Sequence, residues 1–311
     1  MSAVTIPKGP IALAGLLHEP PAEATAAATT VKKGRRPPAI IVVHPGGGVK
    51  EQAAGTYARR LAAAGFTTLC FDASHQGESG GDPRFLEDPA ARVSDIWAVV
   101  DYLEKVRGGN GDAAGIAVLG LCAGGGYAVA AAKADHRIRA VATVSMVNIG
   151  DSARRGWEGA DDPRRHAETL RGAAAQISAE NAGAQEAAAP YVPSAPGPST
   201  PADLVEASDY YLTARGQHPR APNRMLFKSF PRVLTFDAFH LADLYLTQPV
   251  LLVAGQGAGS LWHTERLCTV LGGRAKKVVV PEASHVDFYD KDSMVSTAVQ
   301  EIVTFMSKSL K

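Results

Sequence analysis

Cys122 lies at the centre of the run Gly120-Leu121-Cys122-Ala123-Gly124-Gly125-Gly126, a thiol with a glycine two residues away on either side. The apolar residues Ile116-Ala117-Val118-Leu119 before it read as a buried strand, and the alanine-rich stretch from Tyr127 to Ala134 reads as a helix. Strand, sharp turn and helix form the setting of a nucleophile elbow, G-x-S-x-G, here with cysteine in place of serine. Such a turn is strained. Side chains two residues either side of the nucleophile would collide with neighbouring backbone, which explains the glycines. The helix that follows directs its free N–H groups and positive dipole end at the sulfur, so a thiolate is expected.

Three further segments carry residues suited to the same chemistry. His44-Pro45-Gly46-Gly47-Gly48 follows the apolar run Ala39 to Val43. Backbone N–H groups of Gly46 or Gly47, with that of Ala123, are placed to hold a developing oxyanion. The same turn could cradle a phosphate, but no Lys-Ser/Thr pair follows it. The second segment is Phe71-Asp72-Ala73-Ser74-His75-Gln76-Gly77-Glu78-Ser79-Gly80, whose His75 and Glu78 are candidates for the mouth of a pocket. In the third, the strand-like Val278 to Pro281 runs into Glu282-Ala283-Ser284-His285. The chain has nine histidines, and His285 stands out by its place between a strand and the closing helix. His263, in a helical stretch, reads as a surface residue.

These residues need a scaffold that brings strand ends together. Val4 to Ile6, Ile11 to Leu17, Ala39 to Val43, Thr67 to Phe71, Ile116 to Leu119, Ile138 to Ser145, Pro249 to Ala254 and Lys277 to Val280 read as strands. Helices are expected from Gln52 to Ala64, over 90–106 and over 291–309, and a loop over 21–38. Strands alternating with helices predict an α/β class, with a mostly parallel eight-stranded sheet covered on both faces. The alternation breaks over 148–236, which has too few large apolar residues for its own core. That segment is expected to be an inserted helical lid on a core of 1–147 and 237–311.

Composition narrows the function classes. Lys plus Arg is 32 against 31 for Asp plus Glu, a formal net charge of +1, which gives no reason to expect nucleic acid or an anionic membrane as partner. No apolar run reaches the length of a membrane span. Cys70, Cys122 and Cys268 are odd in number and lack metal-ligand spacing, so a reduced, cytoplasmic protein without metal or cofactor is expected. Cys70 and Cys268 read as buried bystanders.

Taken in order, glycine turn, elbow and final histidine resemble an α/β-hydrolase of the dienelactone-hydrolase-like type, in which cysteine is a familiar nucleophile. The His-Pro-Gly-Gly-Gly turn, the Asp72 to Ser79 loop and the ending His285-Val286-Asp287-Phe288-Tyr289-Asp290 are similar to the polyketide-transferase-like, or thiohydrolase, branch. The resemblance implies Cys122 as nucleophile, His285 as general base, a mainly structural Asp72 and an acyl ester or thioester substrate, as in secondary metabolism. A carrier protein or coenzyme A could bear the acyl group, with Arg154, Arg155, Arg164 and Arg165 near its phosphate or simply solvated. The family's acid usually follows strand seven, yet that loop reads Gly255-Gln256-Gly257-Ala258-Gly259-Ser260 without a carboxylate. Asp151, after strand six, is the first choice for the acid, with Glu265, Asp243, Asp237 and Asp287 as alternatives. A thiol with pKa of about 8.5 depends on that acid less than a serine does. Trp157 and Trp262 are further candidates for the pocket. The competing readings are a lactonase for a small carboxylated substrate, which needs a positively lined pocket, and a ligand-binding protein with a decayed triad.

Overall fold

Every residue of Ala39–Val43 is buried, and its side chains divide between two cores: Ile41 and Val43 face one, Ile40 and Val42 the other. A strand covered on both faces must be apolar throughout, which is why period-two alternation is missing from its sequence. The computed structural model of the protein describes residues 1–27, 36–107 and 115–310. Its main sheet has eight strands: β1 (Ser2–Lys8), β2 (Ile11–His18), β3 (Ala39–Val43), β4 (Thr67–Phe71), β5 (Ile116–Leu121), β6 (Ile138–Val144), β7 (Val250–Gly255) and β8 (Ala275–Val280). They lie in the order β1-β2-β4-β3-β5-β6-β7-β8. Strands β3 to β8 pair in parallel, and the β1–β2 hairpin joins β4 antiparallel at one edge.

Helices α1 (Ala53–Ala63), α2 (Pro89–Val106) and α3 (Ala123–Ala132) belong to the first half of the chain. The 148–236 segment carries α4 (Ile149–Arg155), α5 (His166–Asn181) and α6 (Ala202–Leu212), and α7 (Leu261–Val270) and α8 (Asp292–Ser309) complete the set of longer helices. α2, α3 and α7 cover one face of the sheet; α1 and α8 cover the other. On α8 the buried face is Val295, Ala298, Ile302 and Met306, at helical spacing. Burying each larger member of that stripe stabilises the fold by roughly 1.5–3 kcal/mol. α2 begins where the sequence says it should: Asp88 accepts from the N–H groups of Ala90 at 2.9 Å and Ala91 at 3.3 Å, and Pro89 occupies the first turn.

Two details differ from expectation. Ala22–Ala27 is a short helix inside the stretch read as loop, and residues 28–35 of that stretch lie outside the described residues. The 148–236 segment is not wholly helical, since Ala188–Ala189 pairs antiparallel with Met225–Leu226. No described helix is long and apolar enough to cross a membrane.

Candidate active site

The chain turns sharply between β5 and α3, and Cys122 takes φ 52° and ψ −125° there. A Cβ on Gly120 would come within 2.2 Å of the Gly124 carbonyl oxygen, and one on Gly124 within 2.4 Å of the Val43 carbonyl oxygen. Both glycines are therefore required by close backbone approach, as their spacing implied. The turn is pinned by the Cys122 N–H on the Val144 carbonyl at 3.1 Å, and by the N–H groups of Gly125 and Val147 on the Cys122 carbonyl. The thiol is left half-buried at the floor of a cavity of about 250 Å³.

Backbone N–H groups of Ala123 and Gly46 both reach the Cys122 sulfur. Gly46 is thus the glycine of the expected Gly46/Gly47 pair that faces the thiol. His44 sets that turn. Its buried ring contacts the Pro45 carbonyl through Nδ1 at 2.7 Å, while Nε2 accepts from Ala73 N–H at 3.1 Å and from Arg92 at 2.9 Å. The ring of Tyr191 lies on the turn from the other side, so close that a Cβ at Gly47 would come within 2.5 Å of it.

His285 is buried beside the cavity, with both ring nitrogens occupied: Nδ1 meets Ser260 Oγ at 2.6 Å and Nε2 meets the Tyr289 hydroxyl at 3.0 Å. Trp157 packs edge-on against the imidazole at 4.8 Å between ring centres. None of the carboxylates named from sequence reaches this ring. Asp151 is buried but binds Asn148 at 2.9 Å, Arg154 at 2.8 Å and Arg266. Asp237 belongs to the same cluster through Asn148 at 2.7 Å. Asp287 accepts from the Ser284 N–H at 3.2 Å, and Glu265 and Asp243 are exposed.

The acid nearest His285 is Asp203 of α6, which the sequence did not suggest. Its carboxylate accepts from the His285 backbone N–H at 3.1 Å, the Gly259 N–H at 2.7 Å and Trp157 Nε1 at 2.9 Å. It grips the loop that carries the histidine rather than the imidazole. Ser260 takes the position at Nδ1 where an acid was sought. Asp203 is separated from His285 by 82 residues and sits in an otherwise unmarked helix, so no local pattern announces it. Tyr289 is four residues beyond His285, in the short helix Asp287–Asp290 that follows the histidine loop.

The remaining candidates divide. Trp157 lines the cavity, whereas Trp262 lies behind it, donating to the Trp157 carbonyl at 3.0 Å and stacking on His263 at 3.7 Å. His75 is held by the Pro83 carbonyl at 2.9 Å, and Glu78 pairs with Lys50 and Arg220, each at 2.7 Å, so neither reaches the cavity. Asp72 is buried against the N–H and Nζ of Lys50, at 2.8 Å each, a structural contact. Arg154 is consumed by the carbonyls of Leu234 and Phe236, while Arg155, Arg164 and Arg165 are exposed.

The electrostatics favour uncharged partners at rest. Burial lifts the Cys122 thiol above its ordinary range, against opposing hydrogen bonds from Tyr289, Ala123 and Gly46 and the Arg92 charge. Burial also draws His285 down to about 4, with the Asp203 charge acting in the other direction. The pair rests as thiol and neutral imidazole, not as the thiolate expected from the helix dipole; desolvation outweighs the N–H groups.

His263 was expected at the surface but is fully buried, and neither of its ring nitrogens finds a partner among the described residues. Burial, with His285 nearby, pulls it down to about 3. Burial and Arg92 likewise hold His44 well below the usual range. In the unfolded chain each of these rings titrates near 6.5. Between pH of about 6.5 and 4 the unfolded chain therefore binds protons that the native one refuses. Stability falls as pH drops through that window, by up to about 1.4 kcal/mol per pH unit for each histidine. Urea unfolding should show a lower midpoint at pH 5 than at pH 7. In His263→Leu the decline should shrink by one histidine's share; an unchanged decline removes His263 from the account.

The 148–236 segment supplies more than half of the cavity's lining, including Ile149, Trp157, Tyr191, Leu204 and Tyr211. Tyr191 anchors it to the core by donating to buried Glu87 at 2.7 Å, the same carboxylate that accepts from Tyr127 at 2.6 Å. Arg215 of the same segment also pairs with Asp290 at 2.7 Å.

Comparison with known proteins agrees with this architecture. The chain is 41% identical over 266 residues to the uncharacterized protein YcjY of Escherichia coli, covering 84% of this chain and 85% of that protein. The crystal structure of hypothetical protein PA2218 from Pseudomonas aeruginosa superposes with a TM-score of 0.88 at 29% identity, covering 99% of this chain and 93% of that one. Thiohydrolase aneE of Aspergillus aculeatus is 32% identical over 96 residues, 31% of this chain and 30% of that protein. With residues 40–297 matching the profile of the alpha/beta hydrolase family over the expected mostly parallel eight-stranded sheet, the chain belongs to that family.

Proposed function

We propose that the protein is a cysteine-nucleophile acyl hydrolase or acyl transferase that opens an ester, thioester or lactone through an acyl-enzyme on Cys122. The observation that carries this reading is the thiol at a strained elbow with the N–H groups of Gly46 and Ala123 both directed at its sulfur. A carbonyl carbon attacked from that sulfur places its oxygen beside the same two donors, where negative charge develops. His285 is the base that receives the thiol proton. It then returns the proton to the leaving group and activates water, or a second nucleophile, to release the acyl group.

The cavity supports an uncharged acyl group. Apart from His285 its lining is apolar, aromatic, hydroxyl, thiol or backbone, with no Lys or Arg among the lining residues described. A substrate carboxylate would be desolvated there without a cationic partner, a heavy cost. This speaks for the acyl esterase or thioesterase reading over the carboxylated lactone. The 148–236 segment acts as the lid, and the partial match to a thiohydrolase supports an acyl thioester, as in secondary metabolism, with the acyl group borne by a small thiol, coenzyme A or a carrier protein. Intact-protein mass spectrometry with N-acetylcysteamine thioesters or p-nitrophenyl esters tests the proposal. A neutral acyl donor should leave an acyl adduct on the Cys122 peptide, and a matched dicarboxylic half-ester should react at least about tenfold more slowly. A fold that only binds ligands would give no adduct with either donor.

A further inference from the structure

A hydroxyl stands between the thiol and the imidazole. Nε2 of His285 is taken by the Tyr289 hydroxyl at 3.0 Å, and Cys122, His285 and Tyr289 line the same cavity, where the hydroxyl also acts on the protonation of the thiol. Tyr211 lines the cavity beside it. A phenol hydroxyl has one proton to donate and two lone pairs to offer. With the imidazole neutral at rest, the Tyr289 proton goes to Nε2, and a lone pair on the phenol oxygen is left to take the Cys122 proton. The His285 Nδ1 proton is then donated to Ser260 Oγ.

Resting on the reading of Cys122 as nucleophile, we propose that Tyr289 is a catalytic residue that carries the Cys122 proton to His285. As sulfur approaches the substrate carbonyl, the S–H bond breaks and a new O–H bond forms on Tyr289. The original Tyr289 O–H bond breaks in the same event, and an N–H bond forms at Nε2. The S–H electron pair stays on sulfur and becomes the bond to the acyl carbon. Tyr289 begins and ends as a neutral phenol, with its proton turned from the imidazole toward the sulfur. Collapse of the tetrahedral adduct reverses the relay and delivers the proton from Nε2 to the departing oxygen or sulfur. No charge has to rest on the phenol, which suits a buried hydroxyl flanked by Tyr210 at 5.2 Å and Tyr211 at 6.2 Å between ring centres.

The relay distinguishes Tyr289 from a residue that only fills space. Tyr289→Phe keeps the ring in its aromatic packing and removes the hydroxyl alone. We expect kcat on a neutral acyl thioester to fall by about 10²-fold or more, the lower end of general acid–base contributions, with KM within a few-fold of wild type. Rates measured in mixtures of light and heavy water should depend on the isotope fraction with a curve in the wild type, because two protons move together, and linearly in Tyr289→Phe. Thermal melts confirm that the variant is folded. Wild-type kcat in Tyr289→Phe overturns the relay, and so does a linear isotope dependence in the wild type. Loss of the acyl adduct in Cys122→Ala alongside an unaffected Tyr289→Phe would keep the nucleophile and reject only the relay; full activity in Cys122→Ala would reject the nucleophile itself.

Discussion

Cys122→Ala should lower kcat on a neutral acyl thioester by about 10⁴-fold or more and abolish the acyl adduct, while the protein stays folded. The expectation of an intact fold follows from the geometry. Cys122 owes its backbone conformation to the glycines and to three backbone hydrogen bonds, none of which involves sulfur. Alanine in the same conformation loses only a half-buried thiol, so the melting temperature should move little. Activity has no such cushion, because without a nucleophile only the N–H donors and binding remain to accelerate the reaction. Cys122→Ser should rescue poorly. An alcohol is much harder to deprotonate than a thiol, and a ring drawn down to about 4 with a neutral serine at Nδ1 is a weak base for it. Steady-state kinetics beside circular-dichroism melts decide the matter; a rate within tenfold of wild type for Cys122→Ala dismisses the nucleophile.

Asp203→Ala should damage stability and turnover together. Its buried carboxylate satisfies three N–H groups, from His285, Gly259 and Trp157, and alanine leaves each of them without that acceptor. Stranding buried donors of this kind costs about 1–3 kcal/mol apiece, so a loss of roughly 3–5 kcal/mol is expected after partial relaxation. The histidine loop and the Trp157 edge against the imidazole then lose their fixed positions, and a shift of about 1 Å in a catalytic group can cost on the order of 10²-fold in kcat. Asp203→Asn should recover only part of either quantity, because its amide turns a donor toward donors. Urea midpoints and kcat measured on the same preparations provide the check. Wild-type values for both in Asp203→Ala would show that the clamp holds nothing of consequence.

Much of this molecule was legible because its core strands are buried on both faces. Runs such as Ala39 to Val43 and Ile116 to Leu119 announce themselves by continuous apolarity, and the observed strands contain them. The elbow and its glycines were legible for a related reason: contacts of 2.2 Å and 2.4 Å between would-be Cβ atoms and backbone leave glycine as the sole solution. The surroundings of His285 were not. Asp203, Ser260 and Tyr289 meet it from separate elements, and two of the three depend on how the 148–236 segment and the β7 loop settle. Asp151 was a reasonable choice from strand order, but Arg154 and Arg266 neutralise it locally. The thiol's protonation was equally hidden, since a sequence shows the helix that follows but not the desolvation that outweighs it.

The placement of Asp203 also bears on how such a protein can diversify. The segment that walls the cavity is the one that holds the histidine loop in place, through a carboxylate on the same helix as Leu204. Grafting a foreign insert to change acyl preference would remove the clamp with the wall. Under the proposed function, acyl preference would be open to side-chain exchange at positions such as Leu204 and Ala207, and closed to wholesale replacement of residues 148–236 unless the graft brings its own carboxylate to the N–H groups of His285 and Gly259.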